Sequence, residues 1–154
     1  MSVSYTHLRA HETGRNLVCR LLLESNKGIF LVKLLESAGC TTLSMTPEEH
    51  DRVIARISHL PQLLSTLLVG YCGDSITTSG PGFATFARLA GSSWEIWRDI
   101  IATNSDNIAE ELDCFSKELS LLASEVRQRE LQQLESRFSE ANRLYQTLKE
   151  MNRS

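Results

Sequence analysis

The sequence predicts an all-α fold, and three observations support that prediction. Glycine and proline are sparse, with 8 and 3 copies, which disfavours both a β-rich chain and a disordered one. Apolar residues recur every three or four positions over long stretches, as on one face of a helix. The segment Thr46-Pro47-Glu48-Glu49 combines a capping residue, a proline suited to the first helical position and a capping-box glutamate.

Composition and charge exclude several classes of partner. The 16 basic and 19 acidic side chains leave a formal net charge of −3, so there is no basic field to attract nucleic acid. No segment approaches the roughly 18 uninterrupted apolar residues of a membrane span. The cysteines at 19, 40, 72 and 114 show no C-x-x-C spacing, which disfavours a zinc site. We therefore expect a cytoplasmic protein with reduced thiols and no metal, nucleic-acid or membrane partner.

Residues 1–24 differ in character from the rest of the chain. They show no helical period before Leu17, and their histidines and arginines are scattered. The stretches YTHLRAHET and LVCRLLLE resemble the peptide obtained when sequencing-adapter DNA is read as a coding frame. On that interpretation the segment is a non-native arm. The alternative is a genuine N-terminal arm without stable structure.

Residues 25–46 are interpreted as a helix, a glycine stop and a strand. Apolar side chains from Ile29 onward give a helical face that extends to Ala38, and Gly39 suits the left-handed position just after a helix. The β-branched segment from Cys40 to Met45 predicts one short strand. A single strand cannot satisfy its own backbone, so the chain is expected to start inside a larger α/β unit.

The helix that begins at Pro47 is long and amphipathic. Its apolar positions continue from Val53 to Leu68, with Pro61 predicted to kink it because proline cannot donate to the carbonyl of Ile57. A glycine-rich loop is predicted over residues 70–82, and a further helix over residues 83–90. Ser93 is a reasonable cap for the next helix.

Two apolar seams dominate the C-terminal third. The first has the spacing of a partner-facing helix and consists of Ile108, Leu112, Phe115, Leu119, Leu122 and Val126. The phase slips between residues 127 and 130, and a second seam follows at Leu131, Leu134, Phe138, Ala141, Leu144, Leu148 and Met151. Either the helix stutters there or it turns back as a hairpin. Little else in the chain could bury both seams, so we expect a homodimer.

Polar residues of the long helix are the first candidates for a site. His59 and Gln62 are three positions apart and therefore neighbours on one helix surface. His50 lies nine positions before His59, on roughly the opposite side of a regular helix, which disfavours a two-histidine metal site. The alternative for His59 is a structural histidine bonded to a neighbour beside the kink.

Arg88 is the second candidate, because its neighbours are mostly apolar and its charge needs a partner. Arginine grips a carboxylate with two hydrogen bonds, and that carboxylate could belong to a ligand or to an acid of the same chain. Trp94 and Trp97, three positions apart, are more typical of core anchors than of ligand platforms. The sequence contains no G-x-G-x-x-G, P-loop or G-x-S-x-G motif, so it predicts no nucleotide site of its own.

A set of short motifs, each weak alone, occurs in a specific order. The set is Glu49-His50-Asp51, Ser58-His59-Leu60-Pro61, Gly80-Pro81-Gly82-Phe83, Arg88-Leu89-Ala90 and Trp97-Arg98-Asp99-Ile100. Over about residues 28–150 the chain resembles the C-terminal helical domain of prephenate dehydrogenases, including the arogenate and cyclohexadienyl variants. The resemblance implies oxidative decarboxylation of prephenate to 4-hydroxyphenylpyruvate in tyrosine biosynthesis, with NAD or NADP accepting the hydride.

The resemblance also implies roles for individual residues. Arg88 would bind a substrate carboxylate, His59 and Gln62 would line the pocket, and Trp97 would pack nearby. His50 and Asp51 would organise the junction between domains. Many members have a second histidine where Gln62 stands, so the pH dependence and substrate preference of this chain stay open.

On this interpretation the chain has three parts. Residues 1–24 are the arm, residues 25–46 are the last helix and strand of a truncated Rossmann domain, and residues 47–152 form a helical substrate-binding and dimerisation domain. The family's catalytic histidine belongs to the Rossmann domain, so we expect no catalytic residue, no bound cofactor and no activity in this chain alone. Its partners would be prephenate or arogenate and a second copy of itself. The alternative is a free-standing helical homodimerisation module without catalytic activity.

Overall fold

The computed structural model describes residues 26–39, 42–43 and 45–151, with backbone alone for residues 26–29 and 31. Seven α-helices occur within these residues: α1 (Asn26–Ser37), α2 (Pro47–Ile54), α3 (Leu60–Cys72), α4 (Pro81–Ala87), α5 (Trp94–Thr103), α6 (Ser105–Gln128) and α7 (Leu131–Met151). No strand occurs within them, which confirms the all-α prediction. The arm predicted over residues 1–24 lies outside the described residues.

The segment before α2 matches its prediction in part. Helix α1 ends at Ser37, and Gly39 has a φ of 81°, the left-handed conformation predicted for the residue after a helix. Within the predicted strand, Cys40, Thr41 and Ser44 lie outside the described residues. Thr42, Leu43 and Met45 are described and are not in a strand. A strand needs a partner for its backbone, and no other strand occurs in the described part of this chain.

The chain divides into two compact units, one containing residues up to Pro47 and from Ser124 onward, the other Glu48–Ala123. The second unit contains all the side chains that are buried among the described residues. Half of them are apolar (Ala55, Leu60, Trp97, Ile108) and half are polar (His59, Gln62, Ser65, Asn104). The centre of this unit is therefore small and unusually polar, and it contains three of the predicted site residues.

A wide turn joins α2 to α3 and replaces the simple kink expected at Pro61. Residues Ala55–His59 form a π-helical turn, in which the N–H of Leu60 donates to the carbonyl of Ala55, five residues earlier. The ring of Pro61 follows at once, within the first turn of α3, where its missing N–H costs least.

The helical run from Pro47 to Thr78 is long and apolar enough to cross a membrane, judged by length and composition alone. The central helix of a soluble protein passes the same test. Five of the eight buried residues lie in this run, including the polar side chains of His59, Gln62 and Ser65. From Glu48 onward this run belongs to the second unit and supplies most of its buried side chains.

The segment after α3 is more helical than expected. The loop predicted over residues 70–82 is wrong in its first part, because α3 continues to Cys72 and a 3₁₀ turn follows over Gly73–Thr78. The next predicted helix begins at Pro81 as α4 and narrows into a second 3₁₀ turn over Arg88–Gly91. Both 3₁₀ turns and α4 pack against α3. Helix α5 begins at Trp94 as predicted and ends at Thr103, and the sequence analysis missed the break at Asn104.

The phase slip between the two apolar seams is a hairpin. Arg129 adopts a left-handed φ of 58°, the N–H of Glu130 donates to the carbonyl of Glu125, and that of Arg129 donates to Val126. These bonds form a Schellman motif with arginine where glycine is usual. Arg137 then grips Glu125 through two hydrogen bonds of 2.7 and 2.9 Å. In a straight helix these residues would be about 18 Å apart, so α7 turns back along the end of α6.

Candidate functional site

His59 and Trp97 meet edge to face at the start of α3. Their ring centroids are 5.7 Å apart with the planes at 90°, and the two residues are 8% and 5% exposed. Trp97 is thus the core anchor of the tryptophan pair, whereas Trp94 is 63% exposed. The indole Nε1 of Trp97 is buried and has no hydrogen-bond partner among the residues that the structure describes. His59 therefore packs against Trp97 in the centre of the second unit.

Gln62 binds the chain segment that contains Arg88. Its Nε2 donates to the carbonyl of Leu89 at 2.6 Å, and its Oε1 accepts a hydrogen bond from the Ser92 hydroxyl at 3.2 Å. The side chain is almost fully buried. A buried amide needs such partners, and the polar ends of Gln62 are occupied by this segment.

Ser65 binds the same segment one helical turn later. Its hydroxyl donates to the carbonyl of Phe86 at 3.0 Å and accepts from the N–H of Ala90 at 3.1 Å. Ser65 has no exposed surface. We call Gln62 and Ser65 together the polar clasp, because they hold residues 86–92 against α3.

Arg88 lies within the clasped segment and is exposed. Among the residues that the structure describes, no acid or acceptor binds its guanidinium. Within the described residues, the intramolecular ion pair considered from the sequence is not formed, and the exposed guanidinium faces solvent. An exposed guanidinium on a fixed turn can bind an anion from outside the chain.

His50 and Asp51 form a pair on α2. The Nδ1 atom of His50 is 3.0 Å from Oδ1 of Asp51, and both side chains are partly exposed. The backbone carbonyl of Asp51 accepts a hydrogen bond of 2.8 Å from the side chain of Asn104, which in turn accepts one of 2.7 Å from Asn107. Asn104 is 8% exposed. The break between α5 and α6 thus fixes the backbone beside the pair.

An ion pair fixes the π-helical turn to α6. Arg56 makes three hydrogen bonds of 2.8–3.1 Å with the carboxylate of Glu111. The hydrogen bonds to Glu111 raise the pKa of the Arg56 guanidinium above its ordinary value. No group of three or more potential metal ligands lies together within the described part of the chain. The thiols of Cys72 and Cys114 are free.

The predicted site residues therefore fall into two groups in the structure. His59, Gln62, Trp97 and the turn that carries Arg88 converge on the first turns of α3, while His50 and Asp51 are anchored separately through Asn104. The sequence analysis missed Ser65, Asn104 and the pair of Arg56 with Glu111. One signal was available for Ser65, since it lies three positions after Gln62 within a leucine-rich run.

Comparisons with known proteins agree on one family. Residues 46–140 match the family profile described as "Prephenate dehydrogenase, dimerization domain". Among curated proteins, the prephenate dehydrogenase of Bacillus subtilis is 31% identical over 118 residues, which are 72% of this chain and 32% of that protein. The cyclohexadienyl dehydrogenase of Zymomonas mobilis is 28% identical over 128 residues, 78% of this chain and 44% of that protein.

Solved structures give the same result for the fold. The prephenate dehydrogenase of Aquifex aeolicus, solved with hydroxyphenyl propionate and NAD⁺, has a TM-score of 0.70 at 27% identity, covering 88% of this chain and 51% of that one. The arogenate dehydrogenase of Synechocystis has a TM-score of 0.73 at 20% identity, covering 88% and 53%, and shows the fold alone.

The chain spans about a third of the curated Bacillus relative and about half of the two solved chains. The family profile covers more than half of this chain and includes both the polar clasp and the segment with Arg88. This chain belongs to the prephenate dehydrogenase family, and its residues 46–140 match that family's dimerization domain.

Proposed function

We propose that this chain is the C-terminal substrate-binding and dimerisation part of a cytoplasmic dehydrogenase. The enzyme would oxidatively decarboxylate prephenate to 4-hydroxyphenylpyruvate, or act on arogenate, on the route to tyrosine. The support is the family membership and the names of its relatives, which are prephenate, arogenate and cyclohexadienyl dehydrogenases.

The exposed guanidinium of Arg88 is the observation that carries this proposal. The substrate is a carboxylate, and a guanidinium binds a carboxylate through two parallel hydrogen bonds. Arg88 has no acid of its own to bind among the described residues, and its backbone is fixed by the polar clasp. Binding would therefore not first require an internal ion pair to break, so the arginine would orient the substrate for reaction.

His59 and Trp97 are proposed to form the wall of the pocket beside Arg88. They contact each other edge to face, which fixes both rings. The apolar edge of such a wall would exclude water from the cleft, and a charge interaction strengthens when water is excluded. His50 and Asp51 are proposed to lie at the junction with the cofactor domain.

The described residues do not fit a nicotinamide dinucleotide. Such a cofactor is held where a strand leads through a glycine-rich turn into a helix, and the described part of this chain contains helices and turns only. NAD or NADP would be held by the remainder of the longer protein, which would also supply the catalytic histidine.

The proposal is tested by Arg88→Ala in the full-length enzyme that carries this chain. We expect the KM for prephenate to rise on the order of a hundredfold, because the variant leaves a substrate carboxylate without its charged partner. Arg127→Ala is the matched control, since Arg127 is also an exposed arginine but lies at the end of α6. An unchanged KM in Arg88→Ala would remove this residue from the site.

The alternative function is a free-standing homodimerisation module without catalysis. The exposed seams of α6 and α7 favour self-association under either function. The DNA upstream of this coding segment separates the two. A reading frame for a dinucleotide-binding domain supports the enzyme, whereas an unrelated gene supports the module.

A further inference from the structure

The hydroxyl of Ser65 replaces a backbone hydrogen bond that would extend α4. In a continued α-helix the N–H of Ala90 would donate to the carbonyl of Phe86, four residues earlier. Here the Ser65 hydroxyl lies between them, donating to Phe86 at 3.0 Å and accepting from Ala90 at 3.1 Å. A side chain inserted in this way opens the helix, and α4 ends at Ala87, directly before Arg88.

Gln62 completes the arrangement from the other side. Its amide binds the carbonyl of Leu89 at 2.6 Å and the hydroxyl of Ser92 at 3.2 Å. Both side chains of the clasp are at least nine-tenths buried. Arg88 lies between Phe86 and Leu89, so the backbone is held on each side of the residue proposed to bind the substrate.

We propose that Ser65 and Gln62 are positioning residues for Arg88. They terminate α4 at Ala87, hold the 3₁₀ turn of Arg88–Gly91 against α3, and so fix the direction in which the guanidinium leaves the backbone. This inference rests on the proposed function, in which Arg88 binds a substrate carboxylate. It also gives Gln62 a role different from lining the pocket, because its amide is already bound to the turn.

The test compares Ser65→Ala, Arg88→Ala and the double variant in the full-length enzyme. Removing the hydroxyl frees the turn, so Ser65→Ala should raise the KM for prephenate about tenfold while kcat stays within about twofold. The double variant should be no worse than Arg88→Ala, because a positioning residue has nothing left to position. Ser120→Ala is the control, since its hydroxyl binds only within α6.

Two further measurements keep the test decisive. Hydrogen exchange at the Ala90 amide should accelerate at least tenfold in Ser65→Ala and stay unchanged in Ser120→Ala. Should the Ser65 variant not fold, Ser92→Ala takes its place, because it removes only the outer bond to Gln62 at an exposed residue and should raise KM about threefold.

The outcomes separate the two proposals. If Arg88→Ala leaves KM unchanged, the proposed function fails and the positioning role fails with it. If Arg88→Ala raises KM but the clasp variants do not, the function stands and the positioning role is wrong. Additive effects in the double variant would likewise overturn it, since Ser65 would then act independently of Arg88.

Discussion

The exposed apolar face of α7 makes Phe138 a sharp test of self-association. Phe138 is 76% exposed, and its seam neighbours Leu131, Leu144, Leu148 and Met151 are 72%, 53%, 53% and 59% exposed. Monomeric proteins rarely leave a continuous apolar stripe of this kind in water. We therefore expect a second copy of the chain to cover it.

The expected loss of dimerisation free energy follows from the exposed fraction of the Phe138 side chain. Fully burying a phenylalanine side chain contributes about 1.5–3 kcal/mol, so the exposed three-quarters of Phe138 could contribute about 1–2 kcal/mol per copy. A two-fold symmetric dimer contains the residue twice. Phe138→Ala should then weaken dimerisation by about 3 kcal/mol, on the order of a hundredfold in Kd.

Sedimentation equilibrium of the chain over a concentration series measures this Kd directly. Tyr71→Ala is the matched control, because Tyr71 is 87% exposed but lies at the end of α3, outside both seams. The control should dimerise like the wild type. A wild-type chain that stays monomeric, or a Phe138→Ala dimer as tight as the wild type, would refute the assignment of this face to the dimer.

Three further predictions concern stability, measured by urea unfolding. Arg129→Gly should stabilise the chain by about 0.5–1 kcal/mol, because glycine adopts the left-handed φ of 58° without strain, and a lower midpoint would contradict the Schellman assignment. Arg137 lowers the pKa of Glu125 below its ordinary value of 4.5, chiefly through their hydrogen bonds. The unfolded state therefore binds the proton of the Glu125 carboxyl more tightly than the folded state does. The ion pair with Arg137 stabilises the fold above about pH 4.5, and this contribution is lost as the pH falls through the lowered pKa of Glu125. The midpoints of wild type and Glu125→Gln should converge between pH 7 and pH 3, and a constant gap would show that the ion pair is not the cause. Asn104→Ala should destabilise by about 1–3 kcal/mol, because it leaves the carbonyl of Asp51 without its buried donor, and an unchanged midpoint would remove that contact.

The helical elements were predictable where local chemistry decides them. The helix start at Pro47 and the left-handed glycine at Gly39 depend on local chemistry that is the same in almost any fold. The structure begins α2 at Pro47 and gives Gly39 a φ of 81°, as predicted. The hairpin was left open, because its left-handed residue is Arg129, and arginine carries no signal for that conformation.

The contacts of the site were harder to predict, since they join residues distant in the chain. Ser65 binds groups 21 and 25 positions away, and Arg56 binds Glu111 at a separation of 55. Periodicity describes one helix at a time and cannot show which backbone groups a buried serine meets. The width of the turn at Ala55–His59 was missed for a similar reason: Pro61 shows that a hydrogen bond is lost, but not how the helix adapts.

The hydrogen bonds that hold residues 86–92 against α3 leave the side chains of this segment open to protein engineering. Three of the four bonds that reach this segment from α3 go to main-chain atoms, at Phe86, Leu89 and Ala90. Apart from proline, which lacks the N–H needed at Ala90, every residue has the same main-chain atoms, so libraries randomised without proline at these three positions should keep the anchorage while altering the surface beside the guanidinium. If the proposed function holds, this segment is a suitable place to change which acid is preferred without redesigning the scaffold.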